Sequence, residues 1–124
     1  TAKLIDVYSP SEDYPEGYAL NIADSITRVR YRASRERAEL MEPGRVYEIA
    51  IEPQATSNYF AVGHRIRLDI SSSNFPHYDV NPNTGEPLGL ERRVTVAHQS
   101  VFHDAAHPSH IVLPIIPPDR GKDA

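Results

Sequence analysis

His103, His107 and His110 stand together in the stretch HDAAHPSH. Two imidazoles four residues apart share one face of a helix, where with an intervening Glu they can hold zinc and activate water. Here the acid is Asp104, one methylene shorter than Glu, and Pro108 disfavours a helical His107. Both flanks read as strand, so a tight turn with exposed imidazoles is expected rather than a metal site. A second stretch, Asp79-Val80-Asn81-Pro82-Asn83-Thr84-Gly85, approaches the D-x-N-x-N-x-G start of a calcium loop. The helix-loop-helix version needs Gly at its sixth position and a bidentate Glu at its twelfth. In this chain Gly85 is seventh, the twelfth residue is Leu90, and Glu91 misses by one. Asx-turns account for the same residues, so Asp79, Asn81, Asn83 and Thr84 are expected to fix the turns of their own loop. Ser71, Ser72 and Ser73, with several His and Asp79, could also supply the parts of a Ser-His-Asp triad, which needs no fixed spacing. These serines sit at a strand end among turn residues, where hydroxyls usually satisfy backbone groups. No G-x-S-x-G elbow surrounds any glycine. The residues therefore assign no catalytic group, no metal and no cofactor.

The elements that must position these groups are strands. The chain has 124 residues, enough for one domain, and 40% hydrophobic with 24% charged residues is ordinary soluble usage. A net charge of −4 gives no basic field for nucleic acid and no polybasic patch for a membrane surface. The run Arg28, Arg30, Arg32, Arg35, Arg37 is followed by Glu36, Glu39 and Glu42, and reads as a solvated face of mixed charge. No apolar run approaches a membrane span and no signal peptide is visible, so a soluble protein is expected, with its compartment left open. Without Cys, disulfides, thiolate catalysis and Cys-based zinc sites are excluded.

Lys3 to Tyr8 and Tyr18 to Ala23 read as the first two strands, joined through the turn cluster SPSEDYPEG. TRVRYR alternates Thr27, Val29 and Tyr31 against Arg28, Arg30 and Arg32, the period of a strand with one wet face. Ile22 and Ile26 fall on the Arg parity, so a bulge near Asp24-Ser25 is expected. VYEIAIEP puts Tyr47, Ile49 and Ile51 inward. After YFAV and Gly63, alternation resumes with Ile66, Leu68 and Ile70 inward and Arg65, Arg67 and Asp69 outward. Residues 71 to 89 form a long polar loop. Arg92 to Phe102 and His110 to Ile116 complete about seven expected strands, and 119–124 is a polar tail. Short strands with turn signals between them and no helical period indicate an all-β, antiparallel sandwich or jelly roll over residues 1–118.

Five ordered stretches carry a family likeness: TAKLIDVY, LNIADSITRVRYR, LMEPGRVYEIAIEPQATSNYFAVGH, RIRLDISSSNFPHYDVNPNTG and SVFHDAAHPSHIVLPIIP. Together they resemble the C-terminal domain of the X-prolyl dipeptidyl peptidase and cocaine esterase superfamily, which also includes α-amino-acid ester hydrolases and glutaryl-type cephalosporin acylases. The resemblance implies a jelly-roll β-sandwich of the galactose-binding type, appended to an α/β-hydrolase catalytic domain that holds the Ser, Asp and His of the triad. It also implies further strands ahead of TAKLIDVY. That fits the start at Thr1 rather than Met and the strand signal from the first residues, so the chain is expected to be a piece of a larger protein with an incomplete sandwich.

On that footing the expected role is a non-catalytic accessory domain that packs on the catalytic domain and helps to shape its substrate cleft. Asn74, Phe75, His77 and Tyr78 join aromatic anchors to adaptable polar groups and are the expected contact residues. A carbohydrate-binding jelly-roll module is the alternative, by analogy of fold. Sheet edges left unpaired by missing strands would favour association with another copy; strands 3–8 and 110–116 are the edges expected to be open. No nucleic-acid or membrane partner is expected.

Overall fold

The computed structural model describes residues 1–117. Its regular structure is one antiparallel sheet of three strands in the order β2-β1-β3, with β1 spanning Ala2–Tyr8, β2 Tyr18–Ser25 and β3 Arg65–Ile70. A single 3-10 turn covers Val29–Tyr31, and no α-helix occurs among the described residues. The fold is thus all-β and antiparallel, a partial β-sandwich of which one layer is formed. The expected boundary at Pro118 and the tail 119–124 lie outside the described residues.

β1 is central because it is the most apolar of the three and can be covered on both faces. Leu4 and Ile5 point to opposite faces and are 7% and 5% exposed. Burying two such side chains favours folding by about 2 kcal/mol each. Ala2 and Ala23 complete the small core. β1 and β2 form a hairpin whose loop closes through Gly17 N donating to Tyr14 O at 2.8 Å. Gly17 has φ 79°, and a Cβ there would lie 2.8 Å from Tyr8 O, so only glycine fits. Tyr14 and Tyr18 stack at 5.2 Å and Tyr8 meets Tyr14 edge-on at 5.5 Å, which holds the hairpin mouth shut.

A bulge is present, but earlier than the side-chain parity suggests. Leu4 pairs with Ala23 and Ile5 with Asn21, so Ile22 is the extra residue on β2. The inserted residue shifts the side-chain parity of β2 on either side of it.

Several expected strands are not formed. TRVRYR becomes the 3-10 turn, with Tyr31 N donating to Arg28 O and Arg32 N to Val29 O. Residues 46–62, 92–102 and 110–116 run without ladder partners, and Val62, Val94, Val96 and Val112 are exposed. Alternation selects the face a strand would bury, but a ladder also needs a neighbour offering N–H and C=O groups in register. β3 forms where expected, yet Ile66, Leu68 and Ile70 are 52%, 39% and 51% exposed rather than buried. The edge expectation is corrected as well. β1, expected at an open edge, is paired on both sides, and β3 has a partner on one side only.

Candidate functional site: the loop after β3

The 71–85 loop starts at a tight anchor. Thr1 N donates to Ser71 O at 2.7 Å and Ser71 N returns a bond to Thr1 O at 3.0 Å, extending the β1–β3 ladder by one pair. Ser71 Oγ accepts from Ser73 N at 3.1 Å, a turn role for the hydroxyl. Asn74 follows and is 7% exposed. Its Nδ2 donates to Asp24 Oδ2 on β2 at 3.1 Å, and its carbonyl accepts from Tyr78 N at 3.1 Å. One buried side chain therefore ties the loop across the end of the sheet.

Beyond this tie the loop turns outward. Phe75 is 73% exposed, His77 is exposed, and Tyr78 is half-buried. Of the four expected contact residues, Asn74 is thus a structural anchor and Phe75 is the free aromatic surface. Asp79 makes no turn bond; it pairs with Arg28 at 3.6 Å with its carboxylate 91% exposed, a weak surface contact. Asn81 Oδ1 accepts from Asn83 N at 3.0 Å, an Asx-turn. Asn83 sits at φ 57°, a conformation asparagine tolerates, and its Nδ2 donates to Thr95 O at 3.1 Å. Thr84 Oγ1 accepts from Glu86 N at 3.3 Å. The Glu86 carboxyl is held below the usual range, chiefly by the Arg92 backbone N–H, with Thr84 and Arg93 adding to it.

One buried polar group was passed over by sequence reasoning. Asp6, on central β1, is fully buried. Its carboxylate accepts from Asn58 Nδ2 at 3.2 Å and meets His64 Nδ1 at 2.9 Å, while the His64 ring lies 4.1 Å from that of Tyr8. The bonds staple the segment before β3 onto β1. The available signal was a charge inside AKLIDVY on the parity of Ala2 and Leu4, a place where a carboxylate must find partners.

The histidine stretch forms the expected turn. His103 and Pro108 make an isolated antiparallel bridge. Asp104 Oδ1 accepts from Ala106 N at 2.8 Å and His107 N at 2.9 Å, and His110 Nδ1 donates to Pro108 O at 2.8 Å. Among the described residues no three His, Asp or Glu side chains converge as metal ligands would. The two backbone donors, that of His107 first, hold the Asp104 carboxyl below its ordinary value. The depressed value has a definite sign. The turn is supported above the range where a free Asp titrates and loosens as pH falls through the Asp104 midpoint. Carboxyl carbon shifts followed by NMR are expected to give Asp104 a midpoint below that of a free aspartate side chain, and an unshifted midpoint would remove the capping role.

Comparison with known proteins agrees with this architecture. The chain belongs to the family described as the X-Pro dipeptidyl-peptidase C-terminal non-catalytic domain, whose model matches residues 1–112. It is a non-catalytic C-terminal domain of a hydrolase-type protein. Among individual proteins it is similar to the cocaine esterase of Rhodococcus sp. (strain MB1 Bresler), 47% identical over 118 residues, which is 94% of this chain and 20% of that protein. The chain therefore spans about a fifth of the length of this relative. No solved structure matches it. No helix among the described residues is long and apolar enough to cross a membrane.

Proposed function

We infer that the chain is the accessory domain of a serine hydrolase acting on esters or amides, and that it docks on an α/β-hydrolase catalytic domain through the loop after β3. The observation that carries this reading is Phe75. It is 73% exposed and directly follows the buried Asn74, which fixes the start of the loop. A large apolar ring held rigidly in water costs little conformational entropy on docking and is the usual form of an interface anchor. Tyr78 beside it offers a ring with a polar end. In this role the domain supplies a wall of the substrate cleft, while acyl transfer is carried out by groups of the catalytic domain.

The test is the Phe75→Ala, Tyr78→Ala double variant in the longer enzyme. Loss of an anchor of this kind costs about 2 kcal/mol of interdomain binding. The melting temperature of the enzyme is expected to fall by a few degrees, and KM to rise. Unchanged melting and kinetics would end the reading. One observation favours a second role, in binding carbohydrate: the Tyr59 ring is 81% exposed and could act as a platform. Retention on insoluble polysaccharide that is lost in Tyr59→Ala would replace the first reading.

A further inference from the structure

Three tyrosines gather at the mouth of the β1–β2 hairpin. Tyr8 and Tyr18 are cross-strand partners, with ring centroids 5.8 Å apart and planes at 70°. Tyr14 belongs to the connecting turn, and its backbone is fixed there. Tyr14 N donates to Ser11 Oγ at 3.1 Å, while Tyr14 O accepts from Ser11 N at 2.9 Å and from Gly17 N at 2.8 Å. Gly17, at φ 79°, turns the chain back so that Tyr18 lands beside Tyr14. The result is a stacked pair, Tyr14 on Tyr18, at 5.2 Å with planes only 18° apart. Both rings are open to water, Tyr14 at 40% and Tyr18 at 46%. Tyr8 is more covered, and its ring lies on that of His64 at 4.1 Å.

Two phenols held in this way can be joined by oxidation. A one-electron oxidant takes an electron from each ring, and each phenolic O–H gives up its proton. The two phenoxyl radicals pair their odd electrons in a new carbon–carbon bond between the ring positions ortho to oxygen. Each ring then moves its ortho hydrogen to oxygen and is a phenol again. Two electrons and two protons leave, and hydrogen peroxide takes up both to become two waters. Phenoxyl radicals are consumed by meeting one another, so position decides the product. Rings side by side in one turn meet at an effective concentration far above that of a dissolved chain. Tyr8 competes poorly for the same bond. It stands edge-on to both rings, at 64° to Tyr14 and 70° to Tyr18, which aims an edge at a face and keeps the ortho positions apart. We propose that Tyr14 and Tyr18 form an oxidative modification site, joined as dityrosine by a haem peroxidase supplied with hydrogen peroxide. The new bond staples the mouth of the hairpin that holds β1, the central strand, against β2. It is independent of docking through the loop after β3.

The test treats the whole chain, at micromolar concentration, with a haem peroxidase and hydrogen peroxide. The expected product is a monomer lighter by two hydrogen atoms, with the blue fluorescence of dityrosine. Its yield should stay constant as the chain is diluted. Cleavage after glutamate assigns the bond, because Glu12 and Glu16 place the three tyrosines in three peptides, 1–12, 13–16 and 17–36. Peptide 13–16 is expected to be recovered joined to 17–36. Tyr14→Phe and Tyr18→Phe should each lower the monomeric product by about tenfold or more, since the pair then lacks one radical. Tyr31→Phe, in the same peptide as Tyr18, should leave the yield unchanged. Phenylalanine keeps the ring and its stacking, so these variants remove the hydroxyl and spare the fold. A bond through peptide 1–12, a product formed mainly between chains, or an undiminished yield in Tyr14→Phe or Tyr18→Phe would overturn the proposal.

Discussion

Asp6→Ala is expected to cost about 3 kcal/mol of folding stability, since it leaves two inward-facing donors without an acceptor. Asp6 is fully buried on the central strand, and its carboxylate is the partner of both Asn58 Nδ2 and His64 Nδ1. Alanine removes that acceptor and cannot admit enough water to replace it. Small domains are stable by only about 5–15 kcal/mol, so the loss is a large fraction of the whole. It also frees the segment before β3, which the two bonds hold against β1. Asp6→Asn should be milder, at about 1 kcal/mol. The new Oδ1 can accept from Asn58, and Nδ2 can donate to His64 if that ring changes tautomer. Urea unfolding monitored by tyrosine fluorescence orders the two. An alanine variant as stable as the asparagine variant would mean that the carboxylate is incidental to the fold.

How much of this was legible beforehand follows from what kind of signal each feature carries. β1, β2 and β3 were legible because each combines alternation or apolar content with turn residues at its ends. The 71–89 loop was legible from Asn, Pro, Asp and Ser packed behind a strand. The turn at His103–Pro108 was legible because Pro108 forbids the helix that the histidine spacing would need. What failed was pairing. VYEIAIEP alternates as well as RIRLDI does, yet only the second has a neighbour in register, because β1 offers one free side after β2 has taken the other. Local pattern carries no information on which partner a strand meets. The buried polar links were hidden for a similar reason. Asp6 meets residues 52 and 58 positions away, and Asn74 meets Asp24 at a distance of 50 positions. Asn74 was readable as a loop residue, but its role as the anchor rather than the contact depends on that long-range bond.

The same bond supports a second large effect, with a sign that pH can reverse. Asn74→Asp is expected to destabilise the domain by about 3 kcal/mol at neutral pH, from like charges at close range in a partly buried site. Asn74 Nδ2 now lies 3.1 Å from Asp24 Oδ2, and Asn21 Nδ2 is the other side-chain donor near that oxygen, at 3.5 Å. A carboxylate at position 74 replaces the donor with a second acceptor, so one of the two groups must take up a proton or the loop must move. Taking up the proton raises a carboxyl pKa in the folded state above its unfolded value. The variant's deficit therefore shrinks below the ordinary carboxylate range and grows as pH rises through the raised value. Wild type and variant unfolded in urea from pH 4 to pH 8 should show curves that converge in acid and diverge towards neutrality. Asn74→Ala, which only removes the bond, should cost about 1–2 kcal/mol with no such slope. If Asn74→Asp shows the same loss at every pH, the two side chains do not meet in solution and the loop has no anchor there. Phe75 would then be carried on a mobile segment, and the entropy saving that makes it a good interface residue would vanish with it.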